Sequence, residues 1–143
     1  MSRWVSDRYG LSRVSLLNHS GLTPDARMTA AEMVQLLDIA AQEMAVRSIL
    51  KGYPLAAARG RKDRMPGVEV RAKTGTLNFT RGLAGYLDGQ GGKRLAFAYF
   101  ASNLKARAAA KSGDAPRGAS GWRRRAINLE ADLLRHWSRV HLS

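Results

Sequence analysis

The stretch Lys73-Thr74-Gly75-Thr76 puts an ammonium, two hydroxyls and a residue without a side chain at the end of an alternating run. These types suit a strand edge that receives an extended peptide. The backbone pairs with the peptide, glycine leaves room for close approach, and lysine adds positive charge. Alone, the triplet Lys-Thr-Gly says little, because an ordinary strand ending in a tight turn can carry it. Its surroundings narrow it. Leu77 follows, then a hairpin ending in Arg81-Gly82-Leu83-Ala84-Gly85-Tyr86-Leu87, a glycine-containing turn, the apolar run Leu95-Ala96-Phe97-Ala98-Tyr99, and Asn103.

Other reactive residue types assemble into nothing comparable. His19 stands beside Ser20, but neighbours on an extended segment point apart. No carboxylate is placed to orient the imidazole, so a loop or hinge role is expected. His19, His136 and His141 form no ligand-spaced cluster with acids, and the chain has no cysteine, which excludes disulfides and thiolate ligands. Neither a metal nor another cofactor is expected.

The elements that must position these residues begin with Ser2 to Tyr9, which reads as the last turns of a helix with Gly10 at its C-cap. Val14, Leu16 and Leu17 read as a short buried strand, and Pro24 and Asp25 as a loop. Thr29 with Glu32 predicts a capping box. Behind it Met33, Leu36, Leu37, Ala40, Ala41 and Met44 recur at helical spacing, so a helix is expected from about Ala30 to about Leu50. A basic loop with Arg59, Arg61, Lys62 and Arg64 follows. Strands are then expected at Val68 to Lys73, Gly82 to Leu87 and Arg94 to Ala101, with a hairpin loop at Asp88-Gly89-Gln90-Gly91-Gly92. The third is apolar on both faces, which predicts a central strand covered on both sides. Residues 104–121 read as a flexible basic segment. A closing helix from near Trp122 has the apolar stripe Trp122, Ala126, Leu129, Leu133, Trp137 and Val140, with both tryptophans as core anchors.

Composition sets the outer bounds. A chain of 143 residues suits one domain, and 45% hydrophobic residues is ordinary for a folded one. Lys and Arg number 24 against 11 acids, a net charge of +13 that favours polyanions. The bases are scattered rather than striped, which argues against a specific nucleic-acid partner. No run approaches the roughly 20 apolar residues of a membrane span. The start, Met1 to Arg8, lacks the apolar core of a signal peptide, so the chain as written would stay in the cytoplasm.

From about Val14 to Asn103, and most sharply from Val70 to Tyr99, the sequence resembles the class C low-molecular-mass penicillin-binding proteins. These are the D-alanyl-D-alanine carboxypeptidase/endopeptidase family. That family carries an Asp-Gly-Ser-Gly-Leu-Ser segment before a basic turn and a capped helix. Here Asn18-His19-Ser20-Gly21-Leu22-Thr23 occupies that place, matching at Ser20, Gly21 and Leu22 and departing at the others. The resemblance implies roles. Lys73 would face the substrate's terminal carboxylate, the Thr74 hydroxyl would bond that carboxylate, Gly75 would admit the substrate, and the Thr76 N–H would be one oxyanion-hole donor.

The family's chemistry also needs S-x-x-K and S-x-N motifs. Ser48 to Lys51 and Ser102 to Lys105 match the first string, but neither serine begins a buried helix by pattern, and no S-x-N string occurs. The family holds both motifs upstream of the Ser-Gly-Leu segment. The resemblance therefore implies the C-terminal part of one β-lactamase/transpeptidase-like domain over residues 1–143. Its fold would be an α/β (α+β) sandwich with a three-stranded antiparallel meander and flanking helices. As a fragment it would be inactive alone. If completed, it would act as a periplasmic serine hydrolase on peptidoglycan stem peptides and would react with β-lactams. Two alternatives lack catalysis: a basic nucleic-acid-binding module, or a module that completes another chain's sheet or self-associates through open sheet edges.

Overall fold

In the computed structural model, which describes residues 2–17, 25–43, 45–54, 65–110 and 116–143, alternation along three runs produces three strands. They are β1 (Glu69–Leu77), β2 (Thr80–Asp88) and β3 (Arg94–Ser102). The sheet is antiparallel throughout in the order β1-β2-β3. Five helices accompany it among the described residues: α1 (Ser2–Tyr9), α2 (Ala30–Glu43), α3 (Val46–Ile49), α4 (Leu104–Ala109) and α5 (Ala119–His141). The architecture is α+β, a three-stranded antiparallel sheet with flanking helices.

Each face of the sheet has its own helix. Val70 and Ala72 of β1, Leu83 and Leu87 of β2 and Phe97 of β3 share a face and form one core with Leu134 and Leu142 at α5 and its end. Trp137 packs there against Phe97, 6.2 Å between ring centres. On the opposite face α2 lies over the sheet, and the buried Tyr86 hydroxyl donates to the Leu37 carbonyl at 2.6 Å. A separate cluster of Val5, Tyr9 and Leu11 packs with Leu36 and Ile39 of α2.

The helix starts and stops follow local chemistry. Gly10 takes φ 66° after α1, and its N–H donates to the Ser6 carbonyl at 2.8 Å. At α2 the capping box forms in full: the Glu32 N–H donates to Thr29 Oγ1 at 3.1 Å and the Thr29 N–H to Glu32 Oε2 at 3.0 Å. The Arg13 N–H donates to the other Glu32 oxygen at 2.8 Å, tying the cap to the N-terminal segment. Between β1 and β2 the turn places Phe79 at φ 55°, costly for a bulky residue. Its buried ring packs edge-on against Trp122, 6.2 Å away, which offsets that cost.

Several expectations are corrected. β3 is an edge strand and β2 is central, because a meander puts the middle strand in the middle. β3 is apolar on both sides because it has helices on both faces, not strands on both edges. The helix expected to reach Leu50 stops at Glu43, and the short α3 takes its place. After α3, Lys51 to Tyr53 lie beside β1, with Gly52 bridged to Arg71. Val14 to Leu17 form no strand but a single bridge, Ser15 with Arg27, and Leu17 is exposed. The basic segment at 104–121 contains α4, capped by Asn103 Oδ1 accepting from the Ala106 N–H at 3.0 Å. On α5 the buried line runs through Ala126, Glu130, Leu134 and Ser138, with Ala131 beside it, while Leu129 and Val140 are exposed. The Asn18 to Thr23 segment, His19 and the cluster from Arg59 to Arg64 lie outside the described residues.

Candidate active site

β1 is an edge strand whose first half is already paired. The Tyr53 N–H donates to the Val70 carbonyl at 2.7 Å, and the Ala72 N–H to the Lys51 carbonyl at 3.1 Å. Even-numbered residues of β1 therefore turn their backbone groups away from β2. By the same alternation, the N–H and C=O of Thr74 and Thr76 point off the sheet. No strand pairs with that part of the edge among the described residues.

The side chains divide between the faces. Lys73 and Gly75 lie on the α2 side, opposite Ala84 and Gly82, while Thr74 and Thr76 lie on the α5 side, opposite Leu83 and Arg81. Lys73 is exposed, and its Nζ donates to the Thr74 carbonyl at 2.8 Å. Gly75 has nothing within 4 Å of where a Cβ would stand, so the space above it is clear. Arg71 shares the face of Lys73 but is bound to Glu69 at 2.8 Å.

Behind Thr76 lies a polar group that sequence reasoning missed. Arg81 and Glu130 are only 6% and 1% exposed. They meet side-on in two hydrogen bonds: Arg81 Nε to Glu130 Oε2 at 2.7 Å and Nη2 to Oε1 at 2.8 Å. Arg81 Nη2 also donates to Tyr53 Oη at 2.9 Å, and Tyr53 donates its proton to Glu130 Oε1 at 2.6 Å. The remaining arm, Nη1, donates to Thr76 Oγ1 at 2.9 Å. Burial, reinforced by the Glu130 carboxylate, pushes the Tyr53 phenol up to about 12. The hydrogen bonds with Glu130 raise the Arg81 guanidinium above its ordinary range, against the effect of burial. One signal in the sequence pointed here: Glu130 falls between Ala126 and Leu134 at spacing four, on the line that faces the sheet.

Thr76 also borders a pocket of about 350 Å³ between the β1–β2 turn and the start of α5, with Leu77, Ser120 and Arg123 on its wall. A larger cavity of about 670 Å³ lies at the other end of α5, beside Arg135 and Arg139, and none of Lys73 to Thr76 lines it. A second ion cluster sits at the far end of the strand pair, where Asp88 accepts from Arg94 at 2.7 Å and Arg47 at 2.9 Å. Burial works against that carboxylate, but the two guanidinium groups hold it below its usual range.

The two S-x-x-K strings have no nucleophile geometry. Ser48 is exposed in the four-residue α3 and donates to the Ala45 carbonyl at 2.6 Å. Ser102 is exposed at the end of β3, where Asn103 rather than the serine caps the next helix. Among the described residues there is no cluster of metal-binding side chains and no helix long and apolar enough to cross a membrane.

Neither the curated proteins nor the solved structures contain a match to the chain. The family model of the D-Ala-D-Ala carboxypeptidase 3 (S13) family matches residues 9–120. The match spans α2, all three strands with the Lys73-Thr74-Gly75-Thr76 edge, and α4, and it ends where α5 starts. With well over half of its length matched, the chain belongs to the D-Ala-D-Ala carboxypeptidase 3 (S13) family, a peptidase family.

Proposed function

We propose that this chain is the substrate-strand part of a serine-type D-Ala-D-Ala carboxypeptidase/endopeptidase. It would be of the class C low-molecular-mass penicillin-binding kind and belong to a β-lactamase/transpeptidase-like domain. The observation that carries this reading is the edge of β1 at Thr74 and Thr76, which no strand covers among the described residues, beside an exposed Lys73 and Gly75. An extended peptide can add to that edge through the outward N–H and C=O groups.

The chemistry follows from the roles. A serine outside these residues attacks the carbonyl carbon of the D-Ala–D-Ala amide, and the carbonyl oxygen becomes an oxyanion. The Thr76 N–H and the serine's own amide receive that charge, each donor worth about 3 kcal/mol of transition-state stabilisation. A terminal carboxylate lying along the edge of β1 would meet the Lys73 ammonium from the α2 side and the Thr74 hydroxyl from the α5 side. The amide C–N bond then breaks, D-alanine leaves with the proton, and water hydrolyses the ester. The substrate is the peptidoglycan stem peptide and the setting the periplasm. The charge of +13 suits approach to anionic cell-wall polymer.

Treatment with penicillin followed by intact-mass measurement tests the division of labour. The 143-residue chain should gain no mass. A protein that joins it to segments bearing S-x-x-K and S-x-N should gain one penicilloyl group. A stoichiometric adduct on the chain alone, at Ser48 or Ser20, would overturn the reading.

A second reading rests on the sheet's edges. No strand covers the outer edge of β3 or the end of β1 among the described residues, and Phe100 on β3 is 43% exposed. The chain would then complete its sheet with another polypeptide or a second copy. A concentration-independent monomer in light scattering would exclude self-association.

A further inference from the structure

We propose that Arg81, clamped by Glu130, is a positioning residue that sets the Thr76 side chain as a hydrogen-bond donor toward the open edge. The inference rests on the reading of β1 as the substrate strand.

A guanidinium has donors and no acceptor, so in the 2.9 Å bond between Arg81 Nη1 and Thr76 Oγ1 the threonine oxygen must accept. That bond takes one of the oxygen's two lone pairs and leaves the hydroxyl proton to be donated. That proton suits an acceptor such as a carboxylate or amide oxygen. Thr76 is exposed and borders the pocket shared with Arg123, so a ligand on the β1 edge can reach it.

Arg81 can hold this direction because it is itself fixed. Nε and Nη2 are both engaged by the Glu130 carboxylate, and Nη2 also meets the Tyr53 hydroxyl, which leaves Nη1 aimed at β1. A buried fork on rigid elements is preorganised. A threonine on a free edge would otherwise exchange between rotamers.

The test uses the double variant Arg81→Met with Glu130→Met, which removes both charges together and leaves no lone buried ion. Side-chain scalar couplings in NMR read the χ1 angle of Thr76 in the 143-residue chain. The wild type should show one rotamer and the folded double variant an average over several. A Thr76 that keeps a single rotamer without Arg81 and Glu130 overturns the proposal.

Activity gives the second arm, in the protein that carries the nucleophile. Thr76→Val and the double variant should each lower kcat/KM about 10-fold, and all three changes together no further. Additive losses would mean that Arg81 acts by another route, which also overturns it. If that protein releases no D-alanine in any form while Thr76 loses its fixed rotamer in the variant, the substrate-strand reading fails and the positioning role stands.

Discussion

The two sides of the β1–β2 pair work on opposite terms. At the outer edge Lys73, Gly75 and Thr76 are exposed, and the backbone groups of Thr74 and Thr76 turn away from β2. On the α5 side Arg81 and Glu130 are buried, and each charge depends on the other. Exposed charges in water contribute little to stability, so edge residues can be chosen for what they bind. A buried pair is different. Losing one partner leaves a bare charge in a poor solvent, so its residues answer to the fold first.

The largest expected effect breaks that buried side. Arg81→Met leaves the Glu130 carboxylate without its bidentate partner and should cost about 3–5 kcal/mol in urea unfolding. Adding Glu130→Met should recover most of it. If the single variant loses less than 1 kcal/mol, roughly the size of an exposed pair, the two regions do not differ in kind.

Glycines sharpen the same contrast. A Cβ on Gly85 would stand 2.1 Å from the Arg71 carbonyl oxygen and 2.7 Å from Ala72 Cα, both backbone atoms that can yield only by parting β1 from β2. Gly85→Ala should therefore cost about 1–3 kcal/mol, whereas Gly75→Ala, with clear space, should leave the melting temperature nearly unchanged. Equal shifts would show that the edge is as tightly packed as the centre.

Alkaline pH probes Tyr53. Its folded pKa of about 12 lies above the ordinary 10.0, so the protonated phenol favours the folded state. That stability is complete below pH 10 and is lost as pH rises from 10 through 12. Tyr53→Phe should flatten this part of the stability curve. Burial also raises Tyr86 and Tyr99, and an unchanged slope in Tyr53→Phe would assign the effect to them.

The smallest effect on stability belongs to Lys73. Its ammonium is exposed and, among the described residues, bonds to the neighbouring carbonyl of Thr74, so Lys73→Ala should shift unfolding by less than about 0.5 kcal/mol. In the protein that holds the nucleophile, the same change should lower kcat/KM for D-alanine release by about 10- to 10⁴-fold, from one or two charge-assisted bonds. Near-normal turnover would reduce the triplet to an ordinary strand end.

Local chemistry in the sequence was enough to locate the three strands of the sheet, the capping box at Thr29 and Glu32, the C-cap at Gly10 and the place of Lys73 to Thr76 on a strand, though not to exclude a strand at Val14 to Leu17. Each rests on contacts between residues a few positions apart, where periodicity and side-chain type carry the information. What only the tertiary structure decided required distant segments to meet. The order β1-β2-β3 made the most apolar strand an edge, because helices rather than strands cover it. The side of α5 that faces the sheet was set by Glu130, whose burial is affordable only next to Arg81, 49 residues earlier, and Tyr53, 77 residues earlier. An apolar count along α5 treats a glutamate as an outward residue. A guanidinium waiting in the sheet reverses that, since two hydrogen bonds and an opposite charge replace the water that Glu130 gives up.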